Sequence, residues 1–189
     1  MMYKVFENYQ RLYQNIFNSF YPSLGSTGFQ ERNLTVNFSK AYEETNKSDN
    51  VFSWFELQFG NNKDNHFDCV IVNISKKTIF FIESKRYVNT SSKKECVMKD
   101  IDRIQNFVKS GLDERFERFK DFKINGLILA DVWWKNTKRS KKKVIRDSYK
   151  NGALEFNVNG PHESDAFDFT IDGCKENYSL LYYLWEIKE

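Results

Sequence analysis

Apolar and polar positions along the chain follow two periods, and the changes between them mark the elements. Phe6, Tyr9, Tyr13, Ile16 and Phe20 recur at helical spacing, giving one apolar stripe on a helix that Pro22 and Gly25 end. Thr27 and Gln30 have the spacing of a capping box. They open a second helix over roughly 29–44, with Leu34, Phe38 and Ala41 on its inner face. Three strand-like runs follow at 51–59, 66–73 and 78–84, and the polar turn Ile74-Ser75-Lys76-Lys77 joins the last two as a β-hairpin. Val97, Ile101, Ile104 and Val108 restore the helical period across about 94–109; Gly111 breaks it, and a charged helix is expected to run on through Phe122. The apolar run 126–130 reads as a fully buried strand. Two further strands at 153–158 and 166–171 and a closing helix over 176–187, packed by Leu181, Leu184 and Trp185, complete the expectation. This order predicts an α/β or α+β domain, a mixed sheet flanked by helices.

Composition narrows the class. The 189 residues are 40% hydrophobic and 17% aromatic with only 2 Pro and 8 Gly, enough to bury a sizeable core and to exclude a disordered chain. They read as one domain over 1–189, with a core at about 25–131 and a C-terminal extension at 132–189. Mean hydropathy is −0.67 and the apolar runs are too short to span a bilayer, so no membrane partner is expected. Residues 1–7 lack a charged-then-apolar leader pattern, and Cys69, Cys96 and Cys174 are too scattered for a disulfide framework or a cysteine zinc site. A cytoplasmic location is the expectation. The net charge of +3 is unevenly spread: Lys135, Lys138, Arg139, Lys141, Lys142, Lys143 and Arg146 stand together without an acid, while 163–189 is acidic. Such a block is either a solvated loop or a binding surface for a polyanion.

Several chemistries are missing from the chain. It has no GxxxxGK(S/T) or GxGxxG phosphate loop, no GxSxG elbow and no HExxH. Two histidines, His66 and His162, cannot build a histidine-rich metal site. Carboxylates and lysines remain. Strand alternation points Glu83 and Lys85 the same way. A two-residue turn sets Asp68 opposite one or the other on that face, whereas a three-residue loop turns it away, so the reading depends on register. Two close carboxylates need a cation between them, and two acids plus a backbone carbonyl suit Mg²⁺. A lysine beside such a centre suits attack on a phosphodiester. A surface salt bridge at a hairpin end accounts for the same spacing without chemistry. Of the look-alikes, Asp121-Phe122-Lys123 precedes its strand and Glu186-Ile187-Lys188 falls in the expected closing helix, so only Glu83–Lys85 ends an apolar strand with an acid on the preceding one. Glu31 shares the buried stripe of Leu34 and Phe38, as a helix N-terminal acid or as a third acid near the site, whereas Glu43 faces solvent.

These residues resemble the PD-(D/E)XK nuclease superfamily, the restriction-endonuclease-like fold with an αβββαβ core. The resemblance covers Gly28-Phe29-Gln30-Glu31-Arg32-Asn33-Leu34 on the first core helix, Phe67-Asp68 on the second strand and Glu83-Ser84-Lys85 on the third, across about 25–131. The helix segment is similar to that of archaeal Holliday-junction resolvases; Phe67 stands where the family commonly has proline. The resemblance implies a Mg²⁺-dependent nuclease, with Mn²⁺ able to substitute, hydrolysing phosphodiester bonds, most plausibly of DNA. Asp68, Glu83 and the Ser84 carbonyl would hold the metal, Glu31 would bind it directly or through water, and Lys85 would orient or deprotonate the attacking water. Gln105 is the candidate polar residue from the following helix.

Arg86, Lys93 and Lys94, with Lys138, Arg139, Lys141, Lys142 and Lys143, could line a phosphate track. Tyr87, Trp133 and Trp134 either stack on bases or belong to the core. Two rivals keep the fold without cleavage. One is a nucleic-acid-binding module. The other is an assembly protein whose C-terminal helix, with Tyr182, Tyr183 and Trp185, docks a second copy or a partner protein.

Overall fold

A computed structural model describes residues 2–19, 30–60, 65–88, 90–112, 114–154, 156–158, 160–171 and 174–188. Thr27 of the expected capping box and Gly28-Phe29 of the motif lie outside the described residues. The first helix, α1 (Met2–Ser19), buries the stripe Val5, Phe6, Tyr9, Tyr13 and Phe17. The second, α2 (Glu31–Thr45), starts after Gln30, which takes the N-cap position without a side-chain capping bond, so the cap rests on backbone alone. Next come β1 (Val51–Gln58), β2 (His66–Asn73), β3 (Thr78–Arg86) and α3 (Thr90–Lys109). The charged segment beyond Gly111 is not a continuing α-helix. Gly111 turns the chain at φ +86, and a short 3₁₀ helix, Glu114–Phe119, buries Phe116 and Phe119.

The 126–130 run is the centre of a longer strand, β4 (Lys123–Trp134), buried over nearly its whole length. The basic block, read as a loop, is half helical: α4 (Lys141–Lys150) begins inside it, capped by the Ser140 side chain accepting from the Lys143 N–H. Residues 153–158 form no strand among the described residues; Leu154 and Phe156 instead plug the core from an irregular segment. The strand expected at 166–171 starts earlier, as β5 (His162–Phe169).

The closing helix is not a helix. Residues 177–187 form β6 (Asn177–Ile187), which lies between β4 and β5 in the six-stranded order β1-β2-β3-β4-β6-β5. Leu181, Tyr183, Trp185 and Ile187 enter one core cluster while Tyr178, Leu180, Tyr182 and Leu184 enter the other. Both faces of this strand are apolar, and a run apolar on both faces satisfies helical spacing as readily as alternation. The expected docking helix therefore does not exist, and Tyr183 and Trp185 are core residues.

All sheet neighbours are antiparallel except β3 and β4, and α3 supplies the crossover that a parallel pair requires. The molecule is thus an α/β structure, a mixed sheet with helices on both faces. On one side α1 and α2 cover Ile71, Phe80, Ile82, Leu127 and Leu129. On the other, Val97, Ile101 and Ile104 of α3 and Tyr149 of α4 cover Phe81, Ile128 and Ala130. Gly126 lets the Trp185 indole lie flat on β4, since a Cβ there would come 2.0 Å from Trp185 Cζ2.

Candidate metal and nucleic-acid site

The hairpin turn spans residues 74–77, an even number, with Asn73 paired to Thr78 and Cys69 to Ile82. Carried one residue on, this register sets Asp68 across from Glu83. There the strands part, and the Asp68 side chain takes over from the ladder: its Oδ2 accepts the Ser84 N–H and the Ser84 hydroxyl, each at 2.7 Å. No hydrogen bond to its other oxygen is found among the described residues. β3 does not stop at Ser84 but continues through Arg86, so Lys85 sits within the strand, beside Glu83 on the α3 side.

Two residues of α3, Asp100 and Arg103, close over these groups. Lys85 Nζ lies 3.8 Å from Glu83 Oε2 and 2.8 Å from Asp100 Oδ2. One Arg103 nitrogen, Nη2, reaches Glu83 Oε1 at 2.6 Å and Asp100 Oδ1 at 2.9 Å. Glu83 and Asp100 are buried at 1% and 5% exposure. Burial, and then the charge of Asp68, push the Glu83 carboxyl up to about 8, although Arg103 and Lys85 pull it back. Burial alone would lower Lys85; Asp100, then Glu83 and Asp68, outweigh it and raise the pKa. Lys85 is therefore held as an ammonium, a hydrogen-bond donor rather than a base. Three carboxyl groups (Asp68, Glu83, Asp100) face two cations (Lys85, Arg103), and the raised pKa of Glu83 keeps a proton in the network near pH 7. A hard oxygen donor set fits a divalent cation such as Mg²⁺ or Mn²⁺, whose charge would displace that proton.

Asp68 also belongs to a second group of donors. Glu56, His66 and Asp68 each present a ligand atom within 4.8 Å of the others. Glu56 takes a left-handed φ of +53 in β1, and its Oε2 lies 3.1 Å from His66 Nε2.

Glu31, on the opposite face, does not approach the carboxylates as a bare acid. Its Oε1 accepts the Arg86 N–H at 2.8 Å and Lys93 Nζ at 3.0 Å, tying the start of α2 to the end of β3. The Arg86 side chain turns to Asp131, its Nε 3.8 Å from Oδ2, which also accepts the Tyr178 hydroxyl at 3.1 Å. Burial pushes Asp131 up to about 7, and the charges of Arg86 and Lys142 oppose the rise. Lys142 of the basic block thus lies in electrical reach of the Arg86 end of the site.

The other candidates divide. Lys94, Lys138, Arg139 and Lys141 are exposed, and Lys142 and Lys143 are half-buried. Arg146 is not available to a ligand: it is bound to Asp168 and Asp147 and lies 5.1 Å over the Trp134 ring. Gln105 is a buried core residue, its amide donating to the Asn157 carbonyl at 2.9 Å, and not a solvated or site-facing group. Tyr87, Trp133 and Trp134 are core, at 2%, 6% and 7% exposure.

The sequence reading missed Asp100 and Arg103. Asp100 is three residues after Val97 and four before Ile104, an acid inside the buried stripe of its helix, and a buried acid needs a cation. Comparison with known protein families, curated proteins and solved structures finds no match to this chain. No helix among the described residues is long and apolar enough to cross a membrane.

Proposed function

We propose that this chain is a divalent-metal-dependent nuclease of the PD-(D/E)XK type, acting on DNA. The observation that carries the reading is the gathering of Asp68, Glu83 and Lys85 where β2 and β3 part. The run α2-β1-β2-β3-α3-β4 has the αβββαβ order of that superfamily's core, which supports the reading. Cations cluster around the same end of the sheet. α3 and α4 both carry lysines in their first turns (Lys93, and Lys141 to Lys143), where the helix dipole favours acids, so the position gains from an anionic ligand.

In this reading Asp68, Glu83 and the Ser84 carbonyl hold Mg²⁺, with Mn²⁺ able to replace it. Bound there, the metal would supply Lewis acidity to the scissile phosphate. Ser84 fixes the orientation of Asp68 through two hydrogen bonds. The Lys85 ammonium donates to a phosphate oxygen as charge builds on it. Glu31 acts at one remove, by holding the Arg86 backbone and Lys93 in place. Lys94, Lys138, Arg139, Lys141, Lys142 and Lys143 track the phosphate backbone.

The test is nicking of supercoiled plasmid with Mg²⁺, Mn²⁺ or chelator. Cleavage should need metal and vanish in Glu83→Gln and Lys85→Ala, with DNA affinity retained. A second reading has its own observation: Arg103 and Lys85 already stand against the Glu83 carboxyl, as suits a binding module that does not cleave. DNA binding without cleavage in either metal would establish that reading and end the first.

A further inference from the structure

Arg103 occupies one of the two carboxyl oxygens of Glu83, an oxygen that a metal held by this residue could use. Its Nη2 lies 2.6 Å from Glu83 Oε1, the distance of a charge-assisted contact, and 2.9 Å from Asp100 Oδ1. A guanidinium and a divalent cation cannot both take that oxygen, because like charges at such separation in a buried site repel strongly. Lys85, by contrast, leans to Asp100 at 2.8 Å and stands 3.8 Å from Glu83, so it leaves room. Arg103 is also the most exposed of Arg103, Lys85, Asp100 and Glu83. Its side chain is 32% exposed, against 15% for Lys85 and 2% for Glu83. It lines a groove of about 550 Å³ with Phe59, Gly60, Asn106, Phe107, Ser110 and Gly111. Asn106 and Phe107 follow it by three and four residues on α3, so the groove adjoins the helix face that carries Arg103.

We propose that Arg103 is a built-in counter-cation: it holds Glu83 in the metal-free protein and must swing into the groove before the metal binds, which sets the metal affinity. This rests on the reading of Asp68 and Glu83 as metal ligands. It makes Arg103 a metal-affinity residue rather than a catalytic one, with Asp100 as the carboxylate that shares its charge at rest.

The experiment is Mn²⁺ titration of the full chain by calorimetry, for the parent, Arg103→Gln, Arg103→Lys and each of these with Glu83→Gln, with thermal melts to confirm folding. Arg103→Gln removes the competing charge and should bind Mn²⁺ at least about tenfold more tightly than the parent. Arg103→Lys keeps the charge and should stay close to the parent, while Glu83→Gln should abolish binding in every background. Independently of any variant, Mg²⁺ titration of the ¹⁵N-arginine-labelled parent should shift the Arg103 Nε signal and speed its hydrogen exchange. If Arg103→Gln binds Mn²⁺ no more tightly than the parent, or the Arg103 signal ignores saturating Mg²⁺, while Glu83→Gln still abolishes binding, Arg103 is no counter-cation and the metal reading stands. If neither the parent nor Arg103→Gln binds Mn²⁺, or binding survives Glu83→Gln, the metal reading itself falls and takes the proposal with it.

Discussion

Replacing Asp131 by asparagine should make the protein more stable at pH 8 and leave it nearly unchanged near pH 4. Asp131 closes β4 at 2% exposure, accepting one hydrogen bond from Tyr178 and facing Arg86 at 3.8 Å, too far for a close pair. Burial outweighs these partners and raises the carboxyl from 3.8 to about 7. A group raised in the folded state contributes its full stability below its unfolded pKa and loses it as pH climbs through the folded one. Between about pH 4 and 7 the folded chain therefore keeps a proton at Asp131 that the unfolded chain has released, and stability declines with rising pH. The rise is about three pH units, which corresponds to about 4 kcal/mol across that window. Asparagine keeps a carbonyl for the Tyr178 hydroxyl and carries no charge to bury. Urea unfolding followed by tryptophan fluorescence from pH 4 to 8.5, at constant m-value, measures the difference between variant and parent directly. If Asp131→Asn is destabilised equally at both ends of the range, Asp131 is an ionised partner of Arg86 and the desolvation argument is wrong.

Other outcomes follow from the same geometry. Gly126→Ala puts a Cβ 2.0 Å from Trp185 Cζ2 and should cost about 1–3 kcal/mol in urea unfolding; a loss too small to resolve would mean the indole repacks freely. Replacing Lys141, Lys142 and Lys143 together with alanine should weaken DNA binding regardless of sequence and flatten the logarithmic salt slope by up to about 3. The Ser140 cap of α4 needs only the backbone at these positions, so the fold should hold, and an unchanged slope would remove the basic block from the track. Glu31→Gln should lower Mn²⁺ affinity far less than Asp68→Asn, because Glu31 Oε1 is committed to the Arg86 N–H and Lys93; equal losses by calorimetry would make Glu31 a ligand.

How much of the site was legible follows from which distances matter. Glu83 and Lys85 share a face by strand alternation, a property of neighbouring residues, and the sequence was enough to show it. The face of Asp68 hung on the length of the hairpin turn, which the residues Ile74-Ser75-Lys76-Lys77 leave open until Asn73 pairs with Thr78. Asp100 stood in the apolar stripe of α3 as a signal of a buried charge, but which strand would meet it is not a local property. Gln105, three polar residues along the same helix, went into the core against Asn157, from a segment with no regular structure to predict.

The sequence by itself determined the helices α1, α2 and α3, each with one apolar stripe at helical spacing, and the strands β1 to β3 and the core of β4, short apolar runs bounded by polar or turn residues. It also fixed the chemistry available: carboxylates, lysines and a cation-rich block, without a nucleophile motif. Tertiary structure alone decided the rest. It made residues 177–187 a strand by burying them on both faces between β4 and β5, where only a sheet can satisfy the backbone on either side. It drew α4 out of the basic block, withdrew Arg146 to Asp168 and set Arg103 on Glu83. A charge selects its partner by what the fold brings within a few ångströms, and that separation in space is not written in separation along the chain.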